Sequence, residues 1–309
     1  MTKKISLSVI YAFAIFSMLF WSMSFIFSKI VFKYYGPIAT ITLRLLISVV
    51  LLYFVLYFFY KQYLIFPKGH CKLFLLLSFF EPFLYFLGEN FGLKTVDATV
   101  TSVSIATIPV FNALVGTYIL KESLSRINLL GVSLSFLGIL MMLITHDFRF
   151  SVSPEGLLWL LLAIFSSVGY GLFMKKMTVV YHPIYIIFLQ NLIGFLFFLP
   201  LFLAWEFSDV IKTSLTLELV CSMLCLSFFA SSLAFVLYTY VIKEIGIGKA
   251  NVFNNLIPIF TAIASYFLLK ESFSYHKILG IALVLFGVYC TQLRCKKGKG
   301  EVACVPQPN

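Results

Sequence analysis

The sequence predicts an all-α integral membrane protein whose ten transmembrane helices form two inverted five-helix repeats. Three observations carry that expectation. The chain is 61% hydrophobic and 11% charged, with a mean hydropathy of +1.02, so it cannot clothe a water-facing surface in polar groups. Ten mostly apolar stretches are separated by short polar breaks, and spanning a bilayer takes about 20 such residues. The segments Ile108–Leu140 and Ile257–Tyr289 also match at a constant offset of 149 residues, without a gap.

The stretches run over 7–32, 37–59, 72–93, 98–120, 128–144, 156–177, 183–205, 217–241, 248–269 and 277–293. The first is too long for a signal-peptide core and lacks a small-residue cleavage pattern, so it reads as a retained helix. The second opens at Pro37 and carries Arg44. The third carries Glu81, Pro82 and Glu89, and Pro82 must interrupt the local hydrogen-bond ladder. The fourth is rich in hydroxyls, and the short fifth and tenth each carry two glycines seven apart. The sixth holds Ser166, Ser167 and Tyr170. Pro183 opens the seventh, which contains Gln190 and Asn191, while the long eighth contains Tyr238 and the ninth three asparagines. None shows the period-2 alternation of a barrel strand.

The net charge of +11 would suggest nucleic acid in a soluble chain, but its distribution points elsewhere. With the N-terminus inside, fifteen Lys/Arg fall on inner segments, seven on outer ones, and Arg44 within a span. That bias places both termini in the cytoplasm and the chain in the cell membrane, without a nucleic-acid partner. The basic residues after Cys290 read as a topology anchor beside anionic lipid. Six scattered cysteines (71, 221, 225, 290, 295, 304) form no metal spacing or disulfide framework.

The duplication extends outward. Pro109 matches Pro258, Lys121-Glu122-Ser123 matches Lys270-Glu271-Ser272, and Gly131 and Gly138 match Gly280 and Gly287. Leu77-Ser78-Phe79-Phe80 matches Leu226-Ser227-Phe228-Phe229, and at an offset of 146 Pro37-Ile38 matches Pro183-Ile184. Residues 1–146 and 152–293 thus form two five-helix repeats, followed by a basic cytoplasmic tail at 294–309. Five is odd, so the second copy enters the membrane inverted. Inverted repeats place a site near the midplane and supply two exchangeable conformations for alternating access.

The Trp21-Ser22-x-Ser24 motif, Pro37 with Arg44 behind it, and the paired Pro…Lys-Glu-Ser…Gly blocks resemble the EamA-type branch of the drug/metabolite transporter superfamily, over residues 7 to 293. The resemblance implies a central cavity lined by helices 1, 3, 4, 6, 8 and 9, with helices 5 and 10 packed together at the periphery. It implies no particular substrate.

Ionisable groups inside the hydrocarbon are the sharpest candidates, because each costs several kcal/mol unless paired or wetted. Arg44 and Glu89 lie roughly 10 and 8 Å in from the same membrane face at 1.5 Å per residue. Their repeat counterparts are Gln190 and Tyr238, so both charges are lost together. This predicts an Arg44–Glu89 ion pair; the alternative is that Arg44 snorkels to the surface. Glu81 faces Ala230 in the repeat. It is a candidate for proton coupling or a cationic substrate, or else a neutral side chain hydrogen-bonded across helices.

Asn251, Asn254 and Asn255 share one helix face, and Ser102 is the counterpart of Asn251. Either a cavity or interhelical bonding satisfies such amides. Trp21, Tyr85 and Tyr238 could stack on a planar ligand. Ser22, Ser167 and Tyr170 complete the candidate cavity. The paired glycines are assigned to packing of helix 5 on helix 10, and the Lys-Glu pairs to capping corners. No phosphate-binding loop, metal cluster or Ser/His/Asp constellation is readable, so neither an enzyme nor a cofactor is expected. The reading is a secondary or facilitative exporter of small amino-acid-like or drug-like metabolites, as a monomer or homodimer. A proton-coupled uptake carrier and a non-transporting scaffold or sensor are the alternatives.

Overall fold

The computed structural model describes residues 6–64, 69–119, 126–143, 153–297 and 302–306. Seven helices in it are long and apolar enough to cross a membrane, and three shorter apolar helices accompany them. The Lys121-Glu122-Ser123 corner, Lys3 and Lys4, the repeat limits at 146 and 152, and part of the tail lie outside the described residues.

Helix α1 spans Leu7–Val31 and α2 spans Pro37–Phe59. Gly36 is extended and Pro37 takes the first helical position, where a missing N–H costs nothing and φ is already helical. The same device starts α6, Pro154–Val180, and α7, Pro183–Trp205. Ser153 adds a cap by accepting from the Gly156 amide. Helix α8, Leu217–Ile245, starts at Thr216, whose hydroxyl accepts from the Leu219 amide at 3.2 Å. It stops at Gly246, whose φ of 79° lies in the left-handed region that favours glycine.

Four of the helices are interrupted. Helix α3 spans Cys71–Thr95 and breaks at Glu81, which has φ −145° and ψ 119°, ahead of Pro82. Helix α4 consists of Ala98–Ile105 and Ile108–Ile119, with a turn at Ala106 and Thr107. Over Leu226–Ala234, α8 widens, and the Ser232 hydroxyl bonds the Ser227 carbonyl five residues back at 2.8 Å. Helix α9 consists of Ile247–Phe253 and a second part starting at Leu256 and ending at Leu269, with a turn at Asn254 and Asn255. The turns in α4 and α9 lie 148 residues apart, within one residue of the repeat offset of 149 that separates Pro82 from Ser231 in the other two helices.

Helix α5, Arg126–Leu143, packs along α10, Tyr275–Gln292. Glycines make this contact. A β-carbon on Gly131 would stand 2.5 Å from the Gly287 carbonyl oxygen, and one on Gly138 would stand 2.6 Å from that of Gly280, so the two backbones touch directly. Asn128 Nδ2 donates to the carbonyls of Cys290 and Thr291 at 3.2 and 3.0 Å. After α10, Leu293–Lys297 pairs antiparallel with Val302–Pro306, the only strands among the described residues.

The interior is closed by a polar seam among α2, α7 and α8. Ser48 meets Ser232 at 2.6 Å, while Asn191 donates to Ser48 and to the Ser231 carbonyl, both at 2.8 Å. On the outside, Phe58 is 69%, Phe59 74%, Val179 83% and Leu217 80% exposed. Apolar exposure on that scale is stable only against lipid, and the protein is a multi-pass membrane protein.

Candidate functional site

The helix breaks surround a cavity. Its wall comes from α1 (Trp21, Ser24), α2 (Arg44), α3 (Glu81, Tyr85, Phe86, Glu89), α4 (Ile105, Ile108, Asn112), α6 (Ser167, Tyr170), α8 (Phe235, Tyr238, Ile242) and α9 (Asn251, Asn254, Ile257). Its space of about 850 Å³ between atoms includes a part that is continuous with the exterior.

Breaking a helix is what makes such a wall polar. At Glu81 the backbone turns extended and Pro82 supplies no N–H, so the side chain is carried into the cavity instead of lying along an unbroken helix face. Pro82 fits because α7 has Gly194 opposite it; a β-carbon there would collide with the proline ring. The Asn254–Asn255 turn in α9 likewise aims one amide at the cavity.

Of the expected residues, Trp21, Arg44, Glu81, Tyr85, Glu89, Ser167, Tyr170, Tyr238, Asn251 and Asn254 line one space. Three do not. Ser22 is fully buried and donates to the carbonyls of Met18 and Ile257, tying α1 to α9. Ser102 is fully buried and donates to the Thr99 carbonyl at 2.8 Å. Asn255 falls outside the lining, its Oδ1 buried without a partner. The i+4 spacing from Asn251 assumed a continuous helix, and the turn at Asn254 and Asn255 removes that register.

The direct Arg44–Glu89 ion pair is not formed. The ion pairs among the described residues are Lys33–Glu218, Lys277–Asp97 and Lys277–Glu271. Arg44 does not snorkel outward either, being 2% exposed. Its Nε donates to Ser231 Oγ at 2.7 Å, and its guanidinium lies over the Phe86 ring, Cζ 4.4 Å from the centroid. Glu89, one turn further along α3, accepts from the Tyr85 hydroxyl and from Asn90 Nδ2, each at 3.3 Å. Arg44 Nη1 and Trp21 Nε1 are buried donors without partners, and Asn254 Oδ1 is an acceptor without one.

Elsewhere in the wall, Tyr238 donates to Asn251 Oδ1 at 2.8 Å and Tyr170 to Gln190 Oε1 at 3.2 Å. Trp21 meets Tyr238 and Phe235 edge to face, at centroid distances of 4.9 and 5.0 Å. Among the described residues no group of three His, Cys, Asp or Glu could hold a metal ion.

Sequence reasoning missed Ser24, Phe86 and Asn112. Ser24 was legible, since it lies three residues from Trp21 and shares its face, whereas Ser22 is turned about 100° away. Asn112 is an amide in an apolar span, which was itself a signal. Phe86 carried none, because only the fold brings Arg44 over its ring.

Known proteins resemble the chain throughout this architecture. It is 27% identical over 260 residues to the uncharacterized transporter YetK of Bacillus subtilis (strain 168), covering 82% of this chain and 78% of YetK. An uncharacterized transporter of Archaeoglobus fulgidus is 29% identical over 286 residues, covering 89% of this chain and 94% of its own. A solved crystal structure aligns with 92% of this chain and 96% of its own at a TM-score of 0.63 and 13% identity, a likeness of fold. The model of the EamA-like transporter family matches twice, at residues 8–144 and 154–293. A chain matched over nearly its whole length in this way is a membrane transporter, and it belongs to the EamA-like transporter family.

Proposed function

We propose that the protein is a secondary or facilitative transporter that exports small organic metabolites, amino-acid-like or drug-like, by alternating access through the cavity. In this reading all ten apolar helices cross the cell membrane as two inverted repeats, residues 1–146 and 152–293, with both termini and the 294–309 tail in the cytoplasm. The chain works as a monomer or homodimer. The observation that carries the reading is that the broken helices α3, α4, α8 and α9, interrupted at positions 148 or 149 residues apart, all contribute to one cavity wall. Broken helices at a repeat interface are where transporters of this architecture hold substrate and rearrange.

Glu81 supports proton coupling, which can drive export or, in a second reading, uptake. A scaffold without transport has no use for a carboxylate and an arginine in the wall of one cavity. Two measurements test the proposal. Purified protein in liposomes should release preloaded metabolites identified by a screen of cells with and without the protein. A cysteine at Asn254 or Glu81 should react with water-soluble maleimide. An unreactive cysteine at both positions, with no metabolite moved, would leave the scaffold as the correct description.

A further inference from the structure

We infer that two hinged half-helices, Leu217–Cys225 at the start of α8 and Cys71–Ser78 at the start of α3, cover opposite ends of the cavity, and that a tyrosine latches each of them in place, Tyr34 through Glu218 and Tyr181 through His70. The inference rests on the transporter reading and adds to it the contacts that must part for each end to open.

The Tyr34 hydroxyl, in the connection from α1 to α2, donates to Glu218 Oε2 at 2.7 Å, and Lys33 beside it reaches Oε1 at 3.2 Å. The Tyr181 hydroxyl, in the connection from α6 to α7, shares a hydrogen bond with His70 Nδ1 at 2.9 Å, and its ring lies 5.2 Å from that of Phe74 on the half-helix. Tyr34 precedes the start of α2, whereas Tyr181 neighbours His182, which packs on Tyr60 past the end of α2. The two contacts therefore lie at opposite ends of that helix. They are also related by the repeat to within one residue. The offset of 146 pairs Tyr181 with Tyr35, the neighbour of Tyr34, and the offset of 149 pairs Glu218 with Gly69, the neighbour of His70. The same contact is made twice, with an acid as the tyrosine's partner at one end and an imidazole at the other.

Each half-helix runs from its tyrosine to a break. Cys71–Ser78 ends just before the extended backbone at Glu81 and Pro82, and Leu217–Cys225 ends where α8 widens. A break of this kind interrupts the regular hydrogen-bond ladder, so the segments on its two sides can change their angle there while each stays helical. Neither half-helix lines the cavity: α3 contributes to the wall only from Glu81 onward and α8 only from Phe235 onward. Each extends instead from the level of the cavity to one end of the bundle. The side chains of Lys33 and Glu218 are 59 and 47% exposed, and exposed contacts of this kind are weak. A contact that parts once in every transport cycle has to be weak. Parting one latch leaves the other intact, which is the condition for opening one end at a time.

The test uses the full chain carrying Asn254→Cys, on the cavity wall, in membrane vesicles of both orientations. It reads labelling by a membrane-impermeant maleimide above that of the chain without the added cysteine. Tyr34→Phe should raise the labelling rate from one face about two- to fivefold, the reach of an exposed contact, and leave the other face unchanged. Tyr181→Phe should do the same from the opposite face. Glu218→Ala, which also frees Lys33, should act on the same face as Tyr34→Phe, and the two together should do no more than Glu218→Ala alone. Melting curves show that the variants are folded. Both tyrosine variants acting on one face, either of them acting on both faces, additive effects of Tyr34→Phe and Glu218→Ala, or no change in a folded tyrosine variant would each overturn the inference. So would Asn254→Cys that stays unreactive from both faces in every variant, since the half-helices would then cover nothing that opens. If liposomes still move a metabolite under those outcomes, the transporter reading stands and only the latches fall.

Discussion

Glu206, which follows the last residue of α7, accepts a hydrogen bond from the Ala39 amide in the first turn of α2, at 2.7 Å. Gly36 makes room for it, since a β-carbon there would occupy the carboxylate's position. The opposite ends of the same two helices repeat the arrangement with different chemistry: the ring of Tyr60, after α2, packs against His182, before α7, at a centroid distance of 5.2 Å. Each helix closes the start of the other.

The first prediction follows from that closure. Glu206→Ala should cost about 1 to 2 kcal/mol, as loss of a side-chain cap does. Gly36→Ala should cost a similar amount by evicting the carboxylate. The double substitution should cost little more than either alone, because both remove one interaction. Detergent melting curves of the three variants check it; strictly additive losses would show that the two residues act separately.

Glu271 makes a stronger corner. Its carboxylate accepts from the Ala98 amide at 2.8 Å and the Thr99 hydroxyl at 2.6 Å, and Lys277 reaches it at 3.5 Å and Asp97 at 3.0 Å. Glu271 thus caps α4 from the α9–α10 connection. Glu271→Ala should destabilise by about 2 to 3 kcal/mol, since it leaves the Ala98 and Thr99 amides without their acceptor and removes one of the two carboxylates on Lys277, itself 8% exposed. Glu271→Gln keeps one acceptor and should cost about half as much. A Glu271→Gln variant that melts like the wild type would exclude a charged cap.

The glycine seam between α5 and α10 gives a third. Gly131→Val should force the backbones apart at Gly287 and cost about 3 kcal/mol, read as a lowered melting temperature. Leu130→Val, next to it but 61% exposed, should stay within about 0.5 kcal/mol. Equal effects would mean that the close approach is not what the glycines serve.

How far these features could be read in advance depended on range. The helical segments, the proline starts of α2 and α7, the glycine seam and the capping role of the Lys-Glu-Ser corner were legible, since each depends on hydropathy or on residues a few positions apart. The break in α3 was legible too, because Pro82 marks it. Its counterpart in α8 was not, because Ser227, Ser231 and Ser232 widen that helix with hydroxyls and no proline. Arg44 was misassigned for a similar reason. Its partner Ser231 is 187 residues away, and depth along the helix could match Arg44 with Glu89 but could not show the guanidinium lying over Phe86.

That placement of Arg44 yields a fourth prediction. Arg44→Lys keeps the charge but cannot donate from Nε or lay a planar group over Phe86. It should lose about 1 to 2 kcal/mol of stability, whereas Arg44→Gln, which leaves the acids of α3 without an opposing charge, should lose more. If Arg44→Lys melts like the wild type, the Ser231 and Phe86 contacts carry no stability.

The last prediction concerns His182, between α6 and α7. Its ring stacks on Tyr63 at 4.3 Å, and Nε2 meets the Tyr240 hydroxyl at 2.9 Å. Burial, with the Lys243 charge as a second cause, holds its pKa down at about 4 instead of 6.5. The position also precedes the first turn of α7, where a cation opposes the helix dipole. Between those two values the unfolded chain binds the proton more readily than the folded one, so stability is complete above about pH 6.5 and declines as pH falls toward 4. The ring is half-exposed, and solvent screening reduces the contribution to about 1 kcal/mol. His182→Phe keeps the aromatic packing and removes the titration. The drop in melting temperature between pH 7 and pH 5 should therefore be smaller in His182→Phe than in the wild type, even though the variant loses the Tyr240 bond and starts from a lower value at pH 7. An identical drop in both proteins would show that His182 is not the residue that senses acid in this range.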